Sequence, residues 1–346
     1  SPTLGDRVGD LAWLAADVLL RTCDGAGLAR AVDVRTPDPT LLVLLPWALS
    51  LRALARGRWM FGLSLSGVVG VLLACGPGPR ADGRLEIAFL DVGQGDAIVL
   101  RSPGGRFLAV DAGLEREGFD LGERIVAPFL WSQGARTLDG FLLSHAHPDH
   151  AGGAPFLLGA FLPSVVWEGP APRADPGYRV FSAATEEVGV RRLAVARGMS
   201  WDWDGVRLEV RGPVPVGTGT RRTRNDDSVV LLVRFGEVCA LLTGDIEAAA
   251  ERALALPPCS ILKIPHHGSK TSTSPDLLRS VRPRIAVISA GARNAFRHPH
   301  PDVLARLRAG GVQVLRTDQE GTIRLLTDGR RVWLRRGRGG VERRAL

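Results

Sequence analysis

Histidine is missing from almost all of this chain. The 346 residues contain seven, gathered in three short clusters: His145, His147 and His150; His266 and His267; His298 and His300. Lysine is scarcer still, at Lys263 and Lys270 only, so arginine carries nearly all the positive charge behind the net +8. That balance excludes an acidic, solvating chain and favours an anionic partner such as nucleic acid or a membrane surface. The abundance of Arg alongside Ala, Gly, Leu and Pro is also what a GC-rich coding sequence produces. Four cysteines, Cys23, Cys75, Cys239 and Cys259, include no pair at CxxC spacing. A zinc knuckle and a dense disulfide framework are thereby excluded, and four isolated or buried thiols are expected. No internal repeat is present. With 45% apolar and 23% charged residues the chain is globular, long enough for one large domain or two smaller ones. It opens on Ser1 rather than Met, as expected of a fragment or a processed product.

Charge is also absent from one long run. Residues 7–22 place apolar side chains at helical spacing, and Asp33–Pro39 breaks the pattern, so 1–39 reads as an amphipathic helix and linker. Two apolar stretches follow, Leu41–Ala55 and the uncharged Trp59–Cys75. They predict two hydrophobic, membrane-spanning helices within 40–77, the second just meeting the ~17–20 residues that a span needs. Arg52 near the end of the first stretch, with Arg56 and Arg58 between the two, marks the cytoplasmic side, which leaves everything after residue 78 outside the cytoplasm. A buried helical pair is one alternative. A lipoprotein signal starting at Met60 and cleaved at Leu72-Leu-Ala-Cys75 is another, although nothing positive follows Met60 before the apolar run.

Beyond the linker Gly76–Gly83 the pattern turns to short strands. Leu85–Leu90, Ala97–Arg101 and Phe107–Val110 read as a meander. Leu138–Leu143 ends directly in the first histidine cluster, Val238–Leu242 in Thr243-Gly-Asp245, Ile261–Ile264 in Pro265-His-His267, and Ile285–Ser289 in the loop carrying His298. Helices are predicted at Gly122–Gln133, Ile246–Ala255, Pro275–Val281 and Asp302–Gly310. Strands that end and at once present His or Asp can bring distant residues to one rigid edge.

The chemistry follows from the donors. In a loop leaving a strand, His145 and His147 can face one metal, while Asp149 and His150 turn toward a second. Pro148 stiffens the turn, and Gly152-Gly153 lets the backbone bend away. Imidazole and carboxylate at ~2.0–2.2 Å suit zinc, and a carboxylate-rich site also admits manganese. Asp245 can bridge two metals. One of His266 and His267 can ligate and the other face substrate, and the Gly268-Ser269 amides at a helix start would favour a phosphate. His298-Pro-His300 can close the second metal site or act on a leaving group. Two metals about 3.5–4 Å apart acidify a bridging water and clamp the attacking and leaving oxygens, which suits hydrolysis, above all of phosphodiesters.

Ser144-His-Ala-His-Pro-Asp-His-Ala-Gly-Gly153 resembles the metal motif of the metallo-β-lactamase superfamily. Further segments narrow the match: Phe89-Leu-Asp-Val-Gly-Gln-Gly-Asp-Ala97, Val110-Asp-Ala-Gly113, Asn225-Asp-Asp-Ser-Val-Val230, Leu242-Thr-Gly-Asp245, Lys263-Ile-Pro-His-His-Gly-Ser-Lys270, His298-Pro-His-Pro301 and Thr317-Asp-Gln-Glu-Gly321. Over residues 84–328 the chain is similar to the C-terminal hydrolase domain of the ComEC family, the DNA-uptake channels of natural transformation. The resemblance implies an α/β fold, an αββα sandwich with a dinuclear site at one sheet edge, and a metal-dependent nuclease acting on DNA, single-stranded DNA in particular. It implies His145, His147, Asp149, His150, Asp245 and His266 as ligands of two divalent ions, Zn or Mn. Asp149, His267 and His298 would be catalytic. Asn225, Ser228, Ser269 and Lys270 would contact substrate, and Asp91, Asp96 and Asp111 would support the metal loops. The apolar stretches then resemble the last membrane helices of the competence domain. The implied partners are DNA, the membrane and the rest of the competence channel, with the hydrolase domain on the non-cytoplasmic side of a multi-pass cell-membrane protein. Residues 329–346 read as a basic tail that holds the phosphate backbone.

One departure stands out. Many superfamily hydrolases carry a ligand His before the hairpin Asp, and none lies between His150 and Asp245, where Asn225–Ser228 stands instead. Either one metal is weakly held or His266 replaces that ligand. Two other functions use the same residues: hydrolysis of a small ester, thioester or phosphodiester on the same scaffold, and a non-catalytic module that guides DNA at a channel mouth. The near-complete ligand set counts against the second.

Overall fold

The central strands, such as Leu85–Phe89 and Val238–Leu242, are apolar toward both faces, as a sheet covered on both sides requires. The computed structural model describes residues 49–53, 55–58, 60, 81–116, 118–169, 175–213, 224–336 and 343–346. The chain divides into two units, Ser1–Gly76 and Pro77–Leu346. In the first, residues 49–53 are helical. The amphipathic helix expected over 1–39 and most of the two apolar stretches lie outside the described residues, and among the described residues no helix is long and apolar enough to cross a membrane.

In chain order the second unit runs β1 (Leu85–Phe89), β2 (Ile98–Arg101), β3 (Phe107–Val110), the small hairpin β4 (Glu115–Arg116) and β5 (Phe119–Asp120), α1 (Ala127–Ser132), β6 (Gly140–Leu143), α2 (Pro148–Ala151), α3 (Ala154–Phe161), β7 (Val166–Glu168), α4 (Pro176–Glu187), β8 (Arg192–Ala194), β9 (Ser200–Trp203), β10 (Val206–Gly212), β11 (Val230–Phe235) and β12 (Val238–Leu242). It continues with α5 (Ala248–Leu254), β13 (Ile261–Lys263), α6 (Pro275–Val281), β14 (Ile285–Ile288), α7 (Pro301–Ala309), β15 (Gln313–Arg316), α8 (Thr317–Glu320), β16 (Ile323–Thr327), β17 (Val332–Arg336) and β18 (Arg343–Arg344).

A nine-stranded sheet has the order β18-β17-β16-β1-β2-β3-β6-β7-β8, and a seven-stranded sheet the order β15-β14-β13-β12-β11-β10-β9. Each is antiparallel where hairpins connect neighbours and parallel where helices do: β3-β6-β7-β8 in the first and β12-β13-β14-β15 in the second. Strand alternation sorts the core into three layers. On β1, Leu85, Ile87 and Phe89 face a cluster shared with Leu231, Val233 and Ile285 of the other sheet, whereas Ala88 packs with α1 and α3 residues such as Leu130 and Leu157. On the far side Val230, Leu232 and Leu262 pack against Leu254 of α5, Leu277 of α6 and Leu307 of α7. This is the expected αββα sandwich. Each buried Leu, Val or Phe contributes roughly 1.5–3 kcal/mol relative to exposure.

Three local expectations differ from the structure. The helix expected over Gly122–Gln133 opens with a π turn at Gly122–Val126 before α1. The Arg-rich segment after residue 328 is not all tail: Val332 and Leu334 alternate inward, so β17 pairs with β16 and joins the sandwich core. Cys239 and Cys259 are not isolated thiols. β12 and β13 are parallel neighbours, which brings the two Cα atoms to 5.3 Å, and the sulfurs form a disulfide.

Candidate metal centre

Parallel strands end at a common edge, and the donors sit just beyond it. Asp111 follows β3, Ser144–His150 follows β6, Asp245 follows β12, His266 and His267 follow β13, and His298 lies in the loop after β14. The Val229 amide donates to the Ser144 carbonyl at 2.8 Å and ties the two edges together. His150 Nε2 lies 3.2 Å from Asp245 Oδ2, and His267 Nε2 lies 3.3 Å from the same oxygen and 3.5 Å from Asp149 Oδ2. Asp149, His150, Asp245 and His267 each offer one donor atom within 4.8 Å of the others. Both Nε2 atoms are buried and make no aligned hydrogen bond. Two imidazole nitrogens aimed at two carboxylate oxygens, otherwise unsatisfied, are a donor set that fits a divalent cation.

The surrounding bonds aim these donors. Asp111, in left-handed backbone at φ 58°, accepts from the Ser144 amide at 2.7 Å, the Ser144 hydroxyl at 2.6 Å and His150 Nδ1 at 2.8 Å. It thereby turns His150 Nε2 toward the cluster, as carboxylates behind metal-ligating histidines do. Gly95 has φ 127°, and a Cβ there would meet the Asp149 carbonyl oxygen at 2.2 Å, so only glycine allows the Gly93–Asp96 loop to buttress Asp149. On the other edge Lys263, fully buried, contacts the Asp96 carboxylate, donates to the Gly244 carbonyl at 2.9 Å and lies 3.5 Å from Asp245 Oδ1. Asp96, Asp111 and His150 form a second acidic group, but the Lys263 ammonium already supplies its cation.

Protonation follows from this packing. Burial alone would push His267 down, yet the Asp245 and Asp149 carboxylates hold it up at about 9. The same contest leaves His150 well above its ordinary value, with Asp245 and Asp111 outweighing burial. Burial opposes ionisation of Asp149 and Asp245 too, but His150 and His267 hold both below the usual carboxylate range. Burial and the neighbouring His150 drive His145 well down. Burial lowers Lys263, and Asp96 and Asp245 more than restore it.

The remaining expected site residues divide by position. His145 Nε2 and His147 Nδ1 converge at 2.9 Å, beside His150, whose ring lies 4.3 Å from that of His145. Their nitrogens face each other and lie outside the four-donor group. Ser228 stands behind His145, its hydroxyl 3.3 Å from Nδ1, and accepts from the Asp245 amide at 3.0 Å. The two adjacent histidines occupy places opposite to those expected: His267 joins the donor group, while His266 meets Glu247 at 3.2 Å, Asn225 at 3.4 Å and the His298 ring at 5.5 Å. Left-handed φ at His266 (48°), His267 (54°) and Gly268 (80°) throws the two rings to different sides. For the two histidines, unlike the glycine, such backbone costs on the order of 1–3 kcal/mol each and persists where surrounding contacts force it. Burial and then His266 push His298 down to about 4, and burial lowers His266 also.

Gly268 and Ser269 do not start a helix. The Ser269 amide donates to the His266 carbonyl, and α6 begins only after its N-cap Ser274. Lys270 is exposed. His300 caps α7, its Nδ1 accepting from the Asp302 amide at 3.2 Å. Asp91 lies outside both acidic groups and accepts from the Gly93 amide at 3.4 Å. Two residues absent from the expected site belong to it. Lys263 was detectable as one of only two lysines, placed in an otherwise apolar strand. Glu247, which accepts from Asn225 at 3.2 Å and Thr271 at 3.0 Å, had no sequence signal.

A family model described as the metallo-beta-lactamase superfamily matches residues 90–292. The chain belongs to that superfamily. It is similar to ComE operon protein 3 of Bacillus subtilis (strain 168), with 33% identity over 324 residues, covering 84% of this chain and 40% of that protein. It is similar to recombination protein 2 of Haemophilus influenzae, with 36% identity over 244 residues, covering 69% of this chain and 28% of that protein. Competence protein ComA of Neisseria gonorrhoeae is 32% identical over 315 residues, covering 88% of this chain and 39% of that protein. These relatives bear out the resemblance to the ComEC family, and the chain spans at most 40% of their length. Membership and donor set together make the second unit a metal-dependent hydrolase in general terms.

Proposed function

We propose that this hydrolase is a nuclease that cleaves phosphodiester bonds of DNA, a single strand in particular, as part of a DNA-uptake channel. The convergence of Asp149, His150, Asp245 and His267 on one point, with two orphaned imidazole nitrogens, carries the reading. In it these four would hold one divalent ion, and His145 and His147 would serve a second. Divalent ions there supply the charge that makes water more acidic and offsets the anion formed in hydrolysis. The chain's own residues do the rest. Asp111 and Lys263 fix the donors. His298 and His266, both held neutral at pH 7, exchange protons with substrate oxygens. Asn225 orients His266 and presents its amide to a phosphate oxygen. Lys270 and the arginines hold the backbone, so binding weakens as salt rises.

DNA as substrate is supported by the net charge of +8 and by relatives named for competence and recombination. Membrane attachment, and a place for the hydrolase on the non-cytoplasmic side, belong to the same reading. Zinc and manganese both suit the donors. The test incubates labelled single- and double-stranded DNA with the chain in Mn²⁺, Zn²⁺ or chelator, beside Asp149→Ala and His145→Ala. Cleavage that needs metal and drops by about a thousandfold in Asp149→Ala is expected, since a lost donor forfeits several kcal/mol of charge stabilisation. Equal cleavage by all three chains contradicts the site.

A further inference from the structure

Phe296 is a large apolar ring left in water, 65% exposed. Burying it would contribute roughly 1.5–3 kcal/mol, so its exposure calls for an explanation. It is not loosely held. Its ring lies stacked on His298, centroids 5.8 Å apart and planes 25° apart. His298 meets His266 edge-on at 5.5 Å, and His266 meets His267 at 6.2 Å. A line of four rings therefore runs from a buried donor of the metal centre to solvent. The loop is clamped from within: Asn294 Nδ2 donates to the Gly291 carbonyl at 2.8 Å and the His298 carbonyl at 2.6 Å, and its Oδ1 accepts from the His298 amide at 2.9 Å. Exposed Arg293 and Arg297 flank Phe296, both in left-handed backbone at φ 55° and 58°.

We infer that Phe296, backed by His298, is a stacking platform for a nucleobase of a single-stranded nucleic acid whose phosphate lies at the metal centre. The inference rests on the nuclease reading and deepens it by naming a residue that selects unpaired strands. One held π face, with the exposed Arg293 and Arg297 in the same loop, suits a nucleotide, base on the ring and phosphate on an arginine. Bases of a duplex are stacked on one another and have no free face to offer.

The test measures binding and cleavage separately on the full 346-residue chain. Anisotropy of a labelled oligodeoxythymidine, in chelator so that nothing is cut, gives Kd for the wild-type chain, Phe296→Ala and Phe296→Trp. The same strand made abasic removes the bases and leaves the phosphates. Phe296→Ala is expected to raise Kd about tenfold on the normal strand, Phe296→Trp to restore it, and the difference between chains to vanish on the abasic strand. A Kd indifferent to Phe296, or a loss equally large on the abasic strand, overturns the inference. Strands bound through Phe296 but left uncut when metal is restored would support this inference and contradict the nuclease reading. Cleavage with a Kd indifferent to Phe296 does the reverse.

Discussion

The two sheets reach the metal centre by opposite electrostatic means. The first contributes His150, an imidazole, and sets a carboxylate behind it: Asp111 accepts from His150 Nδ1 at 2.8 Å. The second contributes Asp245, a carboxylate, and sets an ammonium behind it: Lys263, 3.5 Å from Oδ1. Both supports are buried. Lys263 helps keep Asp245 ionised, whereas Asp111 fixes the His150 ring and raises its affinity for a proton that a metal ion must displace. Support on the first side rests on hydrogen bonds with fixed direction. On the second it rests on a charge that also neutralises Asp96. The two sides should therefore fail in different ways.

Removal of the ammonium is the larger insult. Lys263→Met leaves Asp96 buried without its ammonium and takes one of three cationic neighbours from Asp245, and a broken buried pair costs about 3–5 kcal/mol. Denaturant unfolding of the metal-free chain should show a loss of that size, and a loss under 1 kcal/mol would mean that Lys263 is not the counter-charge. Asp111→Ala removes orientation instead of charge balance. It should weaken metal binding about 10–100-fold, read by competition with a chromophoric chelator. An unchanged affinity would break the symmetry between the two sides.

Legibility in the sequence follows the same divide. The first side lies in one contiguous stretch, Ser144–His150, and a strand followed by a Pro-stiffened turn is enough to say that its donors converge. The second side comes from separate strand ends. Asp245 is legible as the residue after a Gly at a hairpin end. The choice between His266 and His267 is not, because it turns on consecutive left-handed residues that composition does not reveal. Lys263 stands out as one of two lysines, but its role does not, because only the fold sets Asp96 and Asp245 beside it. The sandwich was legible only through the resemblance that the His and Asp motifs carry; the near-continuous apolar runs of β1 and β11 say no more than that these strands are covered on both faces. Short, partly exposed strands such as β8 and β9 were not, having too little apolar period to stand out.

A further effect sharpens the comparison through pH. His267 is held up at about 9 by Asp245 and Asp149 against an ordinary 6.5. In the metal-free chain a raised folded value contributes stability that is fully present below about pH 6.5 and is lost as pH climbs through about 9. Melting temperatures in chelator should fall across that window. Metal must displace the same proton, so apparent affinity should rise by up to tenfold per pH unit over the window, with protons released into buffer, as calorimetry in buffers of different ionisation enthalpy would show. Affinity independent of pH there would mean that His267 does not ligate.

The most direct measurement sets the two adjacent histidines against each other. His266→Ala and His267→Ala are each loaded with Mn²⁺ or Zn²⁺, dialysed, and assayed for bound metal per chain. His267→Ala should lose metal relative to the wild-type chain while His266→Ala keeps it, because His267 Nε2 faces Asp149 and Asp245 and His266 faces Glu247. Metal lost from His266→Ala and retained by His267→Ala would contradict the four-donor centre.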